Sequence, residues 1–360
     1  MAKRKSAAPP PKDRETPARW TPLVGHERNA RWLQRAVRTG RLGHAYLFVG
    51  PEGIGKRRFA RHVAQTLLCE GRAPGAFAPC GGCASCVQVE AGSHPDYLEV
   101  RRPRDRTELP ISAIQELVAQ LALKPARGGR KIAVVDDADD LNEESANCFL
   151  KTLEEPPPRS LLILVSTSPD AQLPTIRSRC QTLRFDPLSE SEVAEVLRRI
   201  GAAPTDEDAS RMAALGDGSV GLSVESASPE WGEFRDRLER ALLAEPVRSS
   251  TLAEEVLAFI EEAGKDAARR RSRAVKVVAW AAGLYRDALR AVCDSEWRGV
   301  GAKVVAYGRR VGPDALADLV DRCVEAERHI GRMAQLALAV ETWLDDVGRL
   351  AAGQHVPPQV

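Results

Sequence analysis

The chain has 360 residues, of which 43% are hydrophobic and 28% charged, and a net charge of +2. That length predicts two or three domains, and that composition is ordinary for a soluble globular protein. No apolar run reaches membrane-spanning length, and the first residues lack the apolar centre of a signal peptide. The expected compartment is therefore the cytosol, with no membrane partner. There the eight cysteines read as metal ligands or buried thiols rather than disulfides.

Residues 1–20 hold six lysines and arginines against two acids, so the remaining body is net acidic by two charges. Such a body gives no argument for nucleic-acid binding by the isolated chain. The stretch around Pro9 to Pro11 reads as a flexible basic tail. Glu27 to Thr39 then has helical spacing, with Ala30, Leu33 and Val37 on one face, and Gly40 marks its stop.

Ala45 to Val49 is a short apolar strand. It runs into Gly50-Pro51-Glu52-Gly53-Ile54-Gly55-Lys56-Arg57, and Arg58 to Leu68 is helical again. Strand, glycine loop and helix is the context of a phosphate-binding loop. Gly50, Gly53 and Gly55 let backbone N–H groups converge on one concavity, and the helix N-terminus adds partial positive charge. Lys56 would reach the terminal phosphates. The spacing fits the Walker A pattern except at its last place, where a Ser or Thr hydroxyl would ligate magnesium. Arg57 stands there, and an arginine has no lone pair to offer a cation. The loop is expected to hold ATP or ADP with its magnesium chemistry compromised.

Cys69, Cys80, Cys83 and Cys86 follow. Four thiolates suit a tetrahedral structural zinc, and each Cys-x-x-Cys lets two sulfurs meet one ion. A redox pair would need no fourth cysteine and would prefer a thioredoxin-like setting. His94, in His94-Pro95-Asp96, is assigned to loop packing, since four cysteines suffice for the metal. Tyr97 to Val100 reads as a strand and Ser112 to Leu123 as a helix. Lys131 to Val135 is an apolar run ending in Asp136-Asp137, a Walker B pattern. On a buried parallel strand it would place both carboxylates at the ligand edge. Asp136 would hold magnesium. Asp137 stands where a motor ATPase uses glutamate to activate water; it is shorter by about one methylene, and such geometry is sensitive to shifts of about 1 Å.

Glu143 to Leu153 is helical and stops at Pro156. Leu161 to Val165 is another buried strand. Thr167, just past its tip, is a candidate contact for a γ-phosphate or the attacking water, with a plain strand-end turn as the alternative. Thr182 to Phe185 is the last strand. Pro187-Leu188 reads as a linker, and Ser189-x-x-Glu192 as a capping box opening a helix to about Ile200. Thr205-x-x-Asp208 opens another, and Gly216 to Ser219 turns into a third. Beyond about Glu230 the pattern is helical to Leu350. It includes the run Arg269 to Arg273, for which a solvated face is favoured over DNA contact.

Several stretches occur in order: His44 to Gly50, the four cysteines, His94-Pro95-Asp96, Leu150-Lys151-Thr152-Leu153-Glu154-Glu155-Pro156-Pro157, and Ser178-Arg179-Cys180. Together they resemble the AAA+ clamp-loader subunits of the bacterial DNA polymerase III holoenzyme. The likeness is close over residues 21–225 and loose over the C-terminal helices. It implies an α/β AAA+ P-loop module at 21–186, with a five-stranded parallel sheet and an inserted zinc module at about 69–86. It also implies a three-helix lid at 187–228, an all-α collar for oligomerisation at 229–350 and a tail at 351–360. The implied setting is a five-subunit hetero-oligomeric ring at the nucleoid. Gamma/tau and delta subunits would be its partners, and the ring would load the sliding clamp on primer-template DNA. By the same resemblance Arg179 is an arginine finger acting in trans on a neighbour's ATP. Arg57, Asp137 and Gly221 depart from the motor pattern; Gly221 stands where motor subunits carry a second-sensor arginine. These departures imply a subunit that stimulates hydrolysis next door and does little itself. The alternatives are an active gamma/tau-like ATPase, a zinc-dependent DNA-binding module and, more distantly, a P-loop kinase.

Overall fold

The computed structural model describes residues 23–71, 77–103, 106, 108–127, 129–264, 267–294, 300–331 and 335–356. The basic tail at 1–20 and the last four residues of the tail at 351–360 lie outside the described residues. Apart from a short stretch at 104–107, the chain divides into two compact units, one running to Ser226 and one from Ala227.

The first unit contains α1 (Glu27–Arg38), β1 (Ala45–Val49), α2 (Lys56–Leu68), α3 (Ala84–Glu90) and β2 (Tyr97–Val100). It continues with α4 (Ile111–Ala122), β3 (Lys131–Val135), α5 (Glu143–Glu154), β4 (Ser160–Ser166), α6 (Pro174–Arg177) and β5 (Gln181–Arg184). Then come α7 (Glu190–Arg199), α8 (Asp206–Ala214) and α9 (Val220–Ser226). The five strands form one parallel sheet in the order β2-β3-β4-β1-β5. Every residue of β1, β3 and β4 is buried, because helices cover both faces of such a sheet. Alternation sorts the side chains. Tyr46, Phe48, Ile132, Val134, Leu161 and Ile163 face one cluster with Leu33 of α1 and Phe59 and Val63 of α2. Leu47, Val49, Ala133, Val135, Leu162 and Leu164 face the other, with Ile114 and Leu117 of α4 and Phe149 of α5. β5 is an edge strand whose one buried side chain is Leu183.

The structure adds two short helices that periodicity did not reveal. α3 starts inside the cysteine cluster, and α6 starts on a proline that fixes its first backbone angle. α2 begins at Lys56, two residues before the expected start, because Gly55 adopts φ 99° and serves as its N-cap. The last strand lies one residue earlier than expected, although Phe185 N–H still donates to Val49 O at 2.7 Å.

Helices α7 and α8 share their own small core, with Leu188, Val193, Leu197, Ala209 and Met212. The capping box is formed: Ser189 Oγ accepts from Glu192 N at 3.3 Å, and Ser189 N donates to Glu192 Oε2 at 2.7 Å. Ser189→Ala should cost about 1 kcal/mol, the usual worth of a cap. Faster hydrogen exchange confined to the first turn of α7 would show it.

The second unit is helical among its described residues: α10 (Pro229–Leu242), α11 (Ser249–Glu261), α12 (Ala267–Cys293), α13 (Ala302–Val311), α14 (Pro313–Gly331) and α15 (Leu336–Ala351). Its core includes Phe234, Phe259, Val277, Tyr285, Leu319 and Leu344. Arg273 of the basic run is not a solvated residue. Its guanidinium carbon lies 5.4 Å from the Trp231 ring centre and 4.7 Å from that of Phe259. Its Nη1 donates to Glu230 Oε1 at 2.8 Å and to Phe259 O at 2.9 Å. Arg270 Nε donates to Gly264 O at 2.6 Å.

Candidate phosphate loop and metal centre

The glycine loop leaves the C-terminal end of β1, which lies between β4 and β5. Ligand crevices of open α/β sheets lie at strand ends of this kind. Gly53 and Gly55 have φ of 74° and 99°, a region costly for side chains with a Cβ. His26 Nε2 lies 2.8 Å from Ile54 O and fixes the loop from behind. Lys56 is only 6% exposed, and its Nζ donates to Pro51 O at 2.6 Å and, closer still, to Gly50 O. Burial lowers its pKa, against the pull of Asp139, Glu52, Asp136 and Asp137. The lysine is thus folded onto its own loop, among the acids that end β3.

Arg57 turns toward two carboxylates. Its Nε pairs with Glu99 of β2 and lies 3.3 Å from Asp136 Oδ2 at the tip of β3. Glu99 also accepts from Arg61 Nη2 at 2.7 Å and from the Tyr97 hydroxyl at 2.6 Å. Burial opposes ionisation of Glu99, but Tyr97, Arg61 and Arg57 together hold its pKa below the ordinary value. Burial first, then the Asp137 charge, push the Asp136 carboxyl up to about 6 despite Arg57. Magnesium does not fit this arrangement. The loop offers no hydroxyl ligand, and the strand carboxylate that would hold the ion already faces a guanidinium.

Asp137 has left-handed backbone geometry, φ 55°. Asp139, two residues on, ties β3 to the end of β4. It accepts from Thr167 N at 2.6 Å, Thr167 Oγ1 at 2.7 Å and Gln172 Nε2 at 2.8 Å, and also from Ser166 Oγ. The Thr167 hydroxyl therefore has an acceptor within the protein. Gly221, at the start of α9, packs on the loop tip: its N–H donates to Gly53 O at 3.2 Å. A Cβ on Gly221 would stand 3.1 Å from Gly53 Cα, so both glycines are needed for this approach.

The four sulfurs of Cys69, Cys80, Cys83 and Cys86 lie within 4.8 Å of one another. A tetrahedral ion with metal–sulfur bonds of about 2.3 Å needs sulfurs roughly 3.8 Å apart. Backbone N–H groups already point at the sulfurs: Cys80 N to Cys69 Sγ at 3.3 Å, Cys83 N to Cys80 Sγ at 3.4 Å and Cys86 N to Cys83 Sγ at 3.4 Å. Such bonds stabilise thiolate charge. Burial opposes ionisation of Cys83, but N–H donors from Cys86 and Glu70 outweigh it and bring its pKa down to about 7. Burial and the adjoining thiols push Cys86 well up. Four crowded thiols of this kind deprotonate together only around a cation, and the donor set fits zinc. His94 takes no part: Ser85 Oγ lies 3.1 Å from its Nε2, and Asp96 N donates to its Nδ1 at 3.0 Å.

Arg179 sits apart from the loop contacts. Its Nε donates to Glu154 Oε1 at 2.9 Å, with Nη2 on the same oxygen, and its Nη1 donates to Thr175 O at 2.9 Å. Cys180 is half-buried against the sheet core, and burial pushes its thiol up to about 12. Glu99 and Asp139 were not singled out from the sequence, and Glu154 stood out there only as part of the stretch Leu150 to Pro157, not as the partner of Arg179. Period-two alternation in Tyr97-Leu98-Glu99-Val100 puts Tyr97 and Glu99 on one face, the signal that could have paired them with Arg57 and Arg61 one helical turn apart.

A glycine loop between a buried parallel strand and a helix, with acids ending another strand of the sheet, is an arrangement shared with phosphate-binding α/β proteins. Residues 25–189 match the family described as DNA polymerase III, delta subunit. The Pseudomonas aeruginosa DNA polymerase III subunit delta' is 40% identical over 151 residues, or 42% of this chain and 45% of that one. The Bacillus subtilis subunit delta' is 32% identical over 207 residues, 57% of this chain and 60% of that one. The Escherichia coli subunit tau is 35% identical over 185 residues, 51% of this chain and 28% of that one. Across the matched region the chain is delta-prime-like, and it covers roughly half the length of these delta-prime relatives. Among the described residues, no helix is long and apolar enough to cross a membrane.

Proposed function

We propose that this chain is the delta-prime-like subunit of a bacterial clamp loader, an AAA+ module that helps load the sliding clamp on primed DNA. The observation that carries the reading is the match of residues 25–189 to the delta family, which encloses the glycine loop, the four-thiol cluster and Ser178-Arg179-Cys180. On this reading residues 21–186 are the AAA+ module, α7 to α9 the lid, and the helices from α10 onward the collar. Zinc is a structural ion held by Cys69, Cys80, Cys83 and Cys86. Arg179 neutralises charge on the γ-phosphoryl held by a neighbouring subunit. Nucleotide binds at Gly50, Gly53, Gly55 and Lys56, near Arg57, Asp136, Asp137 and Thr167, with little turnover. Gamma/tau and delta subunits, the clamp and primer-template DNA are the partners, and the complex works in the cytoplasm at the nucleoid.

The tau likeness favours a second reading, an active motor subunit. Arg57 beside Asp136 and the bare Gly221 at the loop tip oppose it, since neither can supply the metal ligand or the second-sensor cation of a motor. The test is assembly. The full chain mixed with purified gamma/tau and delta subunits should co-migrate as one complex and support clamp loading. The chain alone should show negligible ATP turnover. A chain that stays out of the complex, or that turns over ATP unaided, sinks the reading.

A further inference from the structure

We infer that the phosphate loop takes a nucleoside di- or triphosphate without a divalent cation, with the Arg57 guanidinium standing in for the metal. The inference rests on the nucleotide reading above and adds to it the ionic form of the ligand. In a metal-dependent loop the ion is bounded on three sides: by the hydroxyl after the lysine, by the acid ending a neighbouring strand, and by the terminal phosphates. Here the residue after the lysine is Arg57, and its Nε lies 3.3 Å from Asp136 Oδ2. The cation of the site is therefore covalently part of α2 and already meets the strand acid.

Charge supports the same assignment. Asp136 and Glu99 face Arg57, and Arg61 also holds Glu99. The two carboxylates that Arg57 meets are thus matched by two guanidinium groups, while Asp137 adds a further negative charge beside Asp136 and Lys56 lies among the acids. A doubly charged ion placed among them would meet Arg57 as a like charge, with Asp136 no longer available to it alone. The donors fit as well. Arg57 meets its acids through Nε, while its Nη1 and Nη2 form no hydrogen bond with the described residues. A guanidinium presents its donors in a planar fork that matches phosphate oxygens, and its charge is permanent. Its side chain is 37% exposed, so the fork is reachable from solvent. Lys56 and the loop amides would hold the phosphates, and Arg57 would supply the charge otherwise brought by the ion. No bond is made or broken; the ligand is held, not cleaved.

The experiment titrates a fluorescent ATP analogue, and separately its ADP counterpart, into the full chain. One buffer contains magnesium; the other is stripped on a chelating resin before protein is added, so that bound zinc is left in place and verified afterwards. Affinity in the two buffers should agree within about twofold, whereas Arg57→Ser should weaken metal-free binding by at least about tenfold, the worth of one or two charge-assisted hydrogen bonds. Added magnesium should restore much of the Arg57→Ser loss. Lys56→Ala should abolish binding in both buffers. Wild-type binding that requires magnesium overturns the inference and leaves the nucleotide reading standing. Metal-free binding undiminished in Arg57→Ser also overturns it. No binding in either buffer overturns both.

Discussion

Arg179→Ala in this chain alone should leave a reconstituted loader assembled and lower ATP turnover at the adjoining site by roughly a thousandfold, the scale of a lost arginine finger. The side chain is about one-third exposed, and its hydrogen-bond partners are Glu154, Thr175 O and Ser178 Oγ rather than the glycine loop. Glu154 ends α5 with its side chain half exposed, and the half-buried Cys180 packs against the sheet core, so the arginine lies at the surface beside both. On the proposed reading a γ-phosphate of the neighbouring subunit would replace Glu154 as the partner, an exchange of one oxyanion for another. Arg179→Lys keeps the charge but loses the fork, and should recover only part of the rate. Arg177→Ala is the internal control. Its Nη1 pairs with Asp170 Oδ1 at 2.9 Å, and turnover should stay near wild type. Steady-state hydrolysis with clamp and primed DNA reads all three. An intact ring whose rate is unchanged by Arg179→Ala removes the finger assignment.

Cys83→Ser should release the metal and loosen the segment from Cys69 to Glu90. Structural zinc contributes on the order of 10 kcal/mol in small free-standing domains. The loss here should be smaller, since α2 and β2 remain held by the sheet, but still several kcal/mol. Cys83 also caps α3, accepting from Cys86 N, and a serine hydroxyl keeps that cap, so the loss reports the missing metal ligand. Cys86→Ser removes a second ligand, also with the cap in place, and should behave alike. Metal analysis of the purified full chain should give one zinc per chain in wild type and a trace in both variants. Cys148→Ser, outside the cluster, should retain it. A wild-type chain without stoichiometric zinc, after reduction and metal replenishment, would refute the assignment.

The parts of this protein legible in its sequence are those whose signal is local. The runs Ala45–Val49, Lys131–Val135 and Leu161–Val165 declare buried parallel strands, because such strands must be apolar on both faces. The glycines of the loop and the spacing of the four cysteines declare their chemistry for the same reason: the partners are close in sequence. What sequence did not disclose depends on distant residues. Glu99 gains meaning only when β2 comes to lie beside α2, 42 residues from Arg57. Asp139 looked like one more acid after Asp136 and Asp137, yet it is the group that binds Thr167, Ser166 and Gln172. Gly221 was legible as a missing cation, but not as a close contact with Gly53. α3 was hidden because glycines and cysteines dominate its approach and only seven residues are helical.

The aromatic setting of Arg273 changes how the basic run of α12 should be counted. Binding to nucleic acid gains much of its salt dependence from cations that neutralise phosphates and release condensed counterions. Arg273 is already neutralised by Glu230, lies within 3.8 Å of Glu262, and is wedged against Trp231 and Phe259. It would displace no counterion from a duplex without first giving up those partners. Any slope of log affinity against log salt measured for this helix should therefore fall short of what the four arginines between 269 and 273 suggest on paper.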